Sequence, residues 1–205
     1  MPTSILTTST IEFTEMLNKK ALLVIDVQEN LLKSDSKVHM DPTAVPSFIQ
    51  NLNKSIAFFE ENNLPVIYVV NEWTNPILNL LTGNVCKKGS KGTGIDKRVH
   101  LASDTVYRKS KMNALTNKEL LHFLEENSIS QLYIAGLFAE ACIKETVKGG
   151  IKNDYKVIII EDAIGSRTIS KKSRSVSFYK HKGISVITAD HLEHDRAMRT
   201  FHTTG

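Results

Sequence analysis

The chain has 205 residues, of which 41% are hydrophobic and 23% are charged, and its formal net charge is +4. This size suits one compact domain, so we expect a single domain over residues 1–205. No apolar run approaches the roughly 20 residues that cross a bilayer, which excludes a membrane-spanning protein. Two cysteines cannot form a dense disulfide framework, and the N-terminus lacks a signal-peptide pattern, so we expect a protein of the reducing cytoplasm.

The first half of the chain alternates strand and helix patterns. Residues 21–26 form an apolar run that ends in an acid, which is typical of a central parallel strand. Asp41 and Pro42 predict the start of a helix. Apolar residues then recur at helical spacing, namely Val45, Phe48, Ile49, Leu52, Ile56 and Phe59. Residues 65–70 predict a second strand, and the long irregular connection 71–104 that follows is of a kind that is often functional.

The second half repeats this alternation. Residues 105–109 predict a short third strand, and Thr116 with Glu119 forms a capping-box signature before a helix over 117–127. Further strands are predicted at 132–136, 156–160 and 184–188, and further helices from about 139, over 170–182 and from about 190. Strands that alternate with helices pair in parallel through right-handed crossovers. We therefore predict an α/β fold, a doubly wound, Rossmann-like six-stranded parallel sheet in the order 3-2-1-4-5-6, with helices on both faces.

Three reactive side chains lie just past the carboxyl ends of predicted strands: Asp26, Lys109 and Cys142. In such sheets ligands bind beyond these strand ends, where the winding reverses. A thiolate attacks a carbonyl carbon, a carboxylate takes and returns the proton, and an ammonium stabilises both charges. Cys142 also lies in the first turn of a predicted helix, which favours ionisation of the thiol. The alternative is that Cys142 is a small buried apolar residue, as most free cysteines are.

Several other features have simpler interpretations. Lysines cluster in CKKGSKGTGIDKR and SKKSRSVSFYKHKG without interleaved aromatic residues, so we interpret them as solvated helix faces and expect no nucleic-acid partner. His191, His194 and Asp195 are interpreted as surface residues rather than a metal site. Cys86 is interpreted as incidental, or as a residue on the rim of the site.

Four segments carry a family resemblance that spans residues 20–192. ALLVIDVQEN contains Asp26, KSKMNAL contains Lys109, GLFAEACIKET contains Cys142, and VIIIEDAIGSR follows them. In this order and spacing they resemble the isochorismatase-like cysteine hydrolase superfamily, which includes nicotinamidases and N-carbamoylsarcosine amidohydrolase. The resemblance implies that Asp26, Lys109 and Cys142 are catalytic.

The resemblance also implies details of the site. It implies a cis peptide bond between Leu137 and Phe138, which would turn the N–H of Ala141 or Cys142 toward an oxyanion. Gln28, Trp73 and Phe138 are candidates for the substrate pocket, although Trp73 could equally be a core residue. The usual Thr-Asp of the nucleophile motif is Ala139-Glu140 here, so the role of Glu140 is open. The stretch at the end of the second strand, VVNEWTNPILN, contains no histidine, so we expect neither a nicotinamidase-type metal nor another cofactor.

These residues predict hydrolysis of a C–N bond in a small amide, carbamoyl or ureido compound through an acyl-enzyme on Cys142. Two alternatives remain open at this point. One is a non-covalent ether hydrolase like isochorismatase itself, and the other is a non-catalytic binding or scaffold protein of the same fold. The resemblance further implies a homo-oligomer, a dimer or tetramer, with the segment 71–104 as the proposed contact.

Overall fold

A computed structural model describes residues 19–192, and its centre is one parallel sheet. The strands are β1 (Lys19–Ile25), β2 (Val66–Asn71), β3 (Val106–Lys109), β4 (Ile129–Gly136), β5 (Lys156–Ile164) and β6 (Ser185–Ile187). They lie in the order 3-2-1-4-5-6, and every neighbouring pair is parallel. The predicted α/β fold and strand order are confirmed. The winding therefore reverses between β1 and β4.

The helices connect these strands. They are α1 (Glu29–Leu32), α2 (Val45–Glu61), α3 (Pro76–Thr82), α4 (Lys118–Glu126), α5 (Lys144–Lys152) and α6 (Ile169–His181), and another begins at residue 189. The predicted capping box is wrong: Asn117, not Thr116, accepts the N–H of Leu120. Thr116 instead ends a 3-10 turn. None of the helices within residues 19–192 is long and apolar enough to cross a membrane.

Helices cover both faces of the sheet, as β1 shows. Leu22 and Val24 belong to the apolar cluster that contains the buried residues of α2, whereas Leu23 and Ile25 belong to the cluster beneath α4, α5 and α6. All four side chains are at most 2% exposed. A strand buried on both faces is a continuous apolar run rather than an alternating one. This is why the sequence of β1 identifies it as a central strand.

The connection between β2 and β3 is more regular than the sequence suggests. It contains α3, which begins after Asn75 because that side chain accepts the N–H groups of Ile77 and Leu78. Single bridges pair Gln28 with Ile95 and Trp73 with Lys87. The connection is therefore fixed at several points to the edge of the sheet where β1 and β2 end.

Gly136 lies where β4 approaches β1 most closely. Its φ is +115°, and a Cβ atom there would lie 2.0 Å from the carbonyl oxygen of Ile25. Only glycine fits, because both the backbone conformation and the space exclude a side chain. Strand β1, which leads to Asp26, and strand β4, which leads to the turn that contains Cys142, can therefore pack side by side.

We predict that Gly136→Ala lowers the free energy of unfolding by more than about 3 kcal/mol, since backbone atoms must move. Gly183→Ala is the matched control: its φ is +73° but no atom lies within 4 Å of a Cβ there. It should cost about 1 kcal/mol of backbone strain alone. Urea denaturation of both variants measures the difference, and equal losses would contradict the close approach.

Candidate active site

Asp26 follows the last residue of β1 in an unusual backbone conformation. Its φ is +55°, and its N–H donates to the carbonyl oxygen of Val69 at 2.7 Å. Aspartate tolerates the left-handed region better than most residues do. The strand therefore stops at this residue, and the carboxylate lies at the carboxyl edge of the sheet, where it is 1% exposed.

Lys109, the last residue of β3, connects the three predicted residues. Its Nζ lies 2.8 Å from Oδ2 of Asp26 and 3.3 Å from Sγ of Cys142. Because β2 separates β3 from β1, the lysine side chain reaches across one strand to make these contacts. Lys109 is 3% exposed and Cys142 5% exposed. The fold thus brings an acid, an amine and a thiol from three strand ends into one buried cluster.

Cys142 lies in the first turn of a helix, as predicted, but this turn, Ala139–Ile143, is π-helical and leads directly into α5. Burial raises the pKa of its thiol well above the ordinary range, and the Asp26 carboxylate raises it further. The nearby Lys109 ammonium acts in the opposite direction but does not compensate. This direction is opposite to that of the predicted easily ionised thiol, because the cost of burying the thiolate outweighs the favourable charges.

The two partners of the thiol also have shifted pKa values. Burial raises the pKa of Asp26, and the Lys109 ammonium offsets this only in part. Burial lowers the pKa of Lys109, but Asp26 and Cys142 together outweigh it and the net direction is upward. Oδ1 of Asp26 is buried and accepts no hydrogen bond from residues 19–192. The cluster therefore combines a fixed cation with a carboxylate of raised proton affinity and a neutral thiol.

The nucleophile turn begins with the feature that the resemblance implied: the peptide bond between Leu137 and Phe138 is cis. The N–H of Ala141 donates to the carbonyl oxygen of Phe138 at 2.9 Å. In this state Ala141 is thus already bonded within the turn, and its role as an oxyanion donor stays a prediction.

Glu140 has a clear set of partners. Its carboxylate accepts hydrogen bonds from the Ser166 hydroxyl at 2.5 Å and from Nε of Arg167 at 2.9 Å. Burial acts to raise the pKa of Glu140, but these hydrogen bonds outweigh it and lower the pKa. Glu140 therefore ties the nucleophile turn to the segment after β5, a function that its sequence position did not reveal.

Gln28 bonds to the protein through both ends of its carboxamide. Nε2 donates to the carbonyl oxygens of Asn71 at 3.1 Å and Thr93 at 2.6 Å, and Oε1 accepts the N–H of Asn71 at 2.9 Å. The thiol of Cys86 lies 3.8 Å from Oε1. Both amide hydrogens are thus used within the fold, so this structure shows Gln28 as an anchor of the connection. Its place in the substrate pocket stays a prediction.

Cys86 lies inside the protein, at 0% exposure, not on an accessible rim. Burial raises the pKa of its thiol to about 12, and the Asp26 carboxylate acts in the same direction. Trp73 and Phe138 are 9% and 6% exposed and belong to the apolar cluster on the α2 face. Their contribution to a substrate pocket stays a prediction.

The candidate metal positions do not fit a nicotinamidase-type site. Asn71 ends β2, Glu72 and Trp73 follow it, and an indole is not a metal ligand. His191 is exposed, and His194 and Asp195 lie outside the described residues. Within residues 19–192 there is no group of three or more His, Cys, Asp or Glu side chains that could hold a metal ion.

The sequence and the fold of this chain are both similar to those of one protein family. A profile of the isochorismatase domain matches residues 20–191. The uncharacterised isochorismatase family protein YddQ of Bacillus subtilis is 26% identical over 157 residues, covering 76% of this chain and 83% of YddQ. Ureidoacrylate amidohydrolase RutB of Cronobacter sakazakii is 21% identical over 171 residues, covering 71% and 74%. An isochorismatase family protein from Desulfovibrio vulgaris has the same fold, with a TM-score of 0.78, 21% identity, and 88% and 99% coverage.

The raised thiol pKa leads to a testable pH profile. Alkylation of Cys142 by iodoacetamide, followed by peptide mass spectrometry, should rise with pH and reach its midpoint above the ordinary thiol pKa of about 8.5. Lys109→Met should move the midpoint higher, because the cation that favours the thiolate is lost while the side-chain volume is kept.

Lys111→Met is the matched control, since Lys111 is exposed two residues further on, and it should leave the profile unchanged. A wild-type midpoint below the ordinary thiol value would show that the helix start, not burial, controls Cys142. An unchanged profile in Lys109→Met would show that the ammonium does not act on the thiol.

Proposed function

Because this chain belongs to the isochorismatase family, we propose that it is a cysteine hydrolase that cleaves a C–N bond of a small amide, carbamoyl or ureido compound. The family placement supports a hydrolase fold with amidohydrolase relatives, among them a protein named for acting on ureidoacrylate. The choice of C–N hydrolysis through a covalent intermediate rests on the residues of the site.

One observation carries the proposal: the Lys109 ammonium lies within hydrogen-bond distance of both Asp26 and Cys142, in a buried cluster. A thiol of raised pKa is a poor nucleophile until a base removes its proton. Asp26 is a suitable base, because its own pKa is raised and because Lys109 holds it beside the sulfur. The cluster thus supports general-base activation of a cysteine at the moment of attack.

In the proposed acylation step, Sγ of Cys142 attacks the carbonyl carbon of the substrate while Asp26 takes the thiol proton. The Lys109 ammonium stays protonated and balances the charge that passes between sulfur and carboxylate. The C–N bond of the tetrahedral intermediate then breaks, and Asp26 returns its proton to the departing nitrogen. Ammonia or an amine leaves, and a thioester remains on Cys142.

In the proposed deacylation step, a water molecule attacks the thioester carbon and Asp26 takes one of its protons. The C–S bond breaks, the sulfur regains the proton, and the acid product leaves. Every proton moves among Asp26, Cys142, the substrate and water, and Lys109 supplies the fixed positive charge.

We predict that the wild-type protein releases ammonia from at least one member of a panel of small amides, ureido acids and carbamoyl compounds. Cys142→Ala should reduce turnover to background, and Asp26→Asn should reduce it at least about 100-fold because the base is lost. Mass spectrometry of quenched reactions should detect an acyl adduct on the Cys142 peptide.

Cys86→Ala is the matched control, since it removes the other free cysteine, and it should retain turnover. Turnover that persists in Cys142→Ala without an adduct would favour a non-covalent, isochorismatase-type ether hydrolase mechanism. Binding of panel compounds without any turnover or adduct would indicate a non-catalytic member of the fold.

We also propose that the protein forms a homo-oligomer through α3. Three apolar side chains of this helix are turned to solvent in the single chain: Ile77, Leu80 and Leu81 are 71%, 76% and 64% exposed. A cluster of exposed apolar residues on one short helix is typical of a contact surface. A second copy of the chain is the expected occupant, because symmetric homo-oligomers are common among soluble enzymes.

Light scattering at micromolar concentration should therefore give a dimer or tetramer of the 22.9 kDa chain. The double variant Leu80→Lys with Leu81→Lys should shift the protein toward monomer, because the new charges cannot be buried. Ile151→Lys changes an apolar residue of α5 that is 52% exposed and should not alter the mass. A wild-type monomer would refute the proposal.

A further inference from the structure

Asn71 has a buried hydrogen-bond acceptor that the protein does not use. The residue is 1% exposed, and its Oδ1 accepts no hydrogen bond from any group in the described range 19–192. An unpaired buried acceptor costs free energy, and native proteins contain few of them. Such a group beside a reactive cluster is therefore a candidate contact for a ligand that supplies the missing donor.

The sheet register places Asn71 beside the reactive cluster. It is the last residue of β2, and its direct partner in β3 is Lys109. Partners in neighbouring strands lie on the same face of a sheet, so the carboxamide of Asn71 and the Lys109 side chain lie on one face. Lys109 crosses β2 to reach Asp26 just past the end of β1, and the strand it crosses ends at Asn71.

The alternation of side chains along β2 leads to the same face. Two and four residues before Asn71, Val69 and Ile67 belong to the apolar cluster that contains Cys142. Residues two apart on a strand share a face. The unpaired oxygen of Asn71 thus lies on the Cys142 side of the sheet, at the edge where ligands bind in this type of fold.

The main chain of Asn71 is held independently of its side chain. Its N–H and carbonyl oxygen are both bonded to the carboxamide of Gln28. The side-chain oxygen is therefore presented from a fixed backbone position. A substitution of the side chain leaves these main-chain hydrogen bonds in place, so its effect on ligands can be measured in a folded protein.

We propose that Asn71 determines specificity by accepting a hydrogen bond from an N–H group of the substrate next to the carbon that Cys142 attacks. This deepens, and rests on, the proposed C–N hydrolysis. An amide, carbamoyl or ureido group offers such a donor, whereas an ester of the same shape does not. A site with a buried acceptor rejects the analogue that leaves the acceptor unpaired.

Two alkylating reagents test this preference without turnover. In iodoacetamide an amide N–H lies one carbon away from the CH2 carbon at which Sγ displaces iodide, and methyl iodoacetate is the ester counterpart of this reagent. At one fixed alkaline pH, the ratio of their rates at Cys142 is measured by peptide mass spectrometry. Asn71→Leu, which keeps the branched outline of the side chain but removes the acceptor, should lower the amide-to-ester ratio about tenfold, as expected for the loss of one hydrogen bond.

The amide-to-ester ratio reports recognition of the N–H group and not general disturbance of the site. A change in the thiol pKa or in folding alters the rates of both reagents equally and leaves their ratio unchanged. Asn79→Leu is the matched control: it also has a buried unpaired Oδ1, but its Nδ2 donates to the carbonyl oxygen of Trp73. It should leave the ratio at the wild-type value. Equal falls of both rates in Asn71→Leu, or the same fall of the ratio in both variants, would overturn the proposal.

The outcome is distinguishable from failure of the proposed hydrolysis. Alkylation needs only a reactive thiol, so a protein that never turns over an amide can still show the selective loss. Conversely, the protein can hydrolyse an amide with full activity while Asn71→Leu leaves the amide-to-ester ratio unchanged. The proposed function would then stand, and only the assignment of Asn71 would fail.

Discussion

The buried contact between Lys109 and Asp26 is the constraint on which the site depends. Both side chains are at most 2% exposed, and their charged atoms lie 2.8 Å apart. Removing two charges from water is costly, and the pair is tolerated only because each balances the other. Loss of one partner leaves the other charged and unpaired, at a cost of roughly 3 to 5 kcal/mol. The strand order 3-2-1 makes this contact possible, since it places β3 within one side-chain length of β1 across a single strand.

The same burial determines how the thiol behaves. A cation beside a cysteine usually promotes ionisation, yet here the carboxylate lies closer to the lysine than the sulfur does, and burial disfavours the thiolate. The positive charge of Lys109 and the negative charge of Asp26 nearly cancel. Burial therefore affects the pKa of the Cys142 thiol more than the lysine charge does. A thiol of this kind resists adventitious reaction while the site is empty and gains nucleophilicity when a base accepts its proton.

Much of this arrangement could be predicted from sequence, and the reason is topological. Asp26, Lys109 and Cys142 each follow a strand pattern, and parallel strands bring their carboxyl ends to one edge. The contacts of Gln28 could not be predicted, because it meets Asn71 and Thr93 at separations of 43 and 65 residues. Asn71 was missed since the predicted strand ended one residue too early. The direction of the Cys142 pKa depends on burial, which local sequence does not contain.

Gln28 holds the segment between β2 and β3 at two points, since it bonds to Asn71 just before the segment begins and to Thr93 within it. It lies two residues after Asp26, so the anchor and the acid are parts of one turn. Asn30, in the adjoining helix α1, adds hydrogen bonds to the carbonyl oxygens of Val85 and Lys91. Between these fixed points, the exposed side chains of α3, Ile77, Leu80 and Leu81, take no part in these hydrogen bonds. Substitutions at these three positions, over evolution or in a directed library, therefore leave the acid, the amine and the thiol in place.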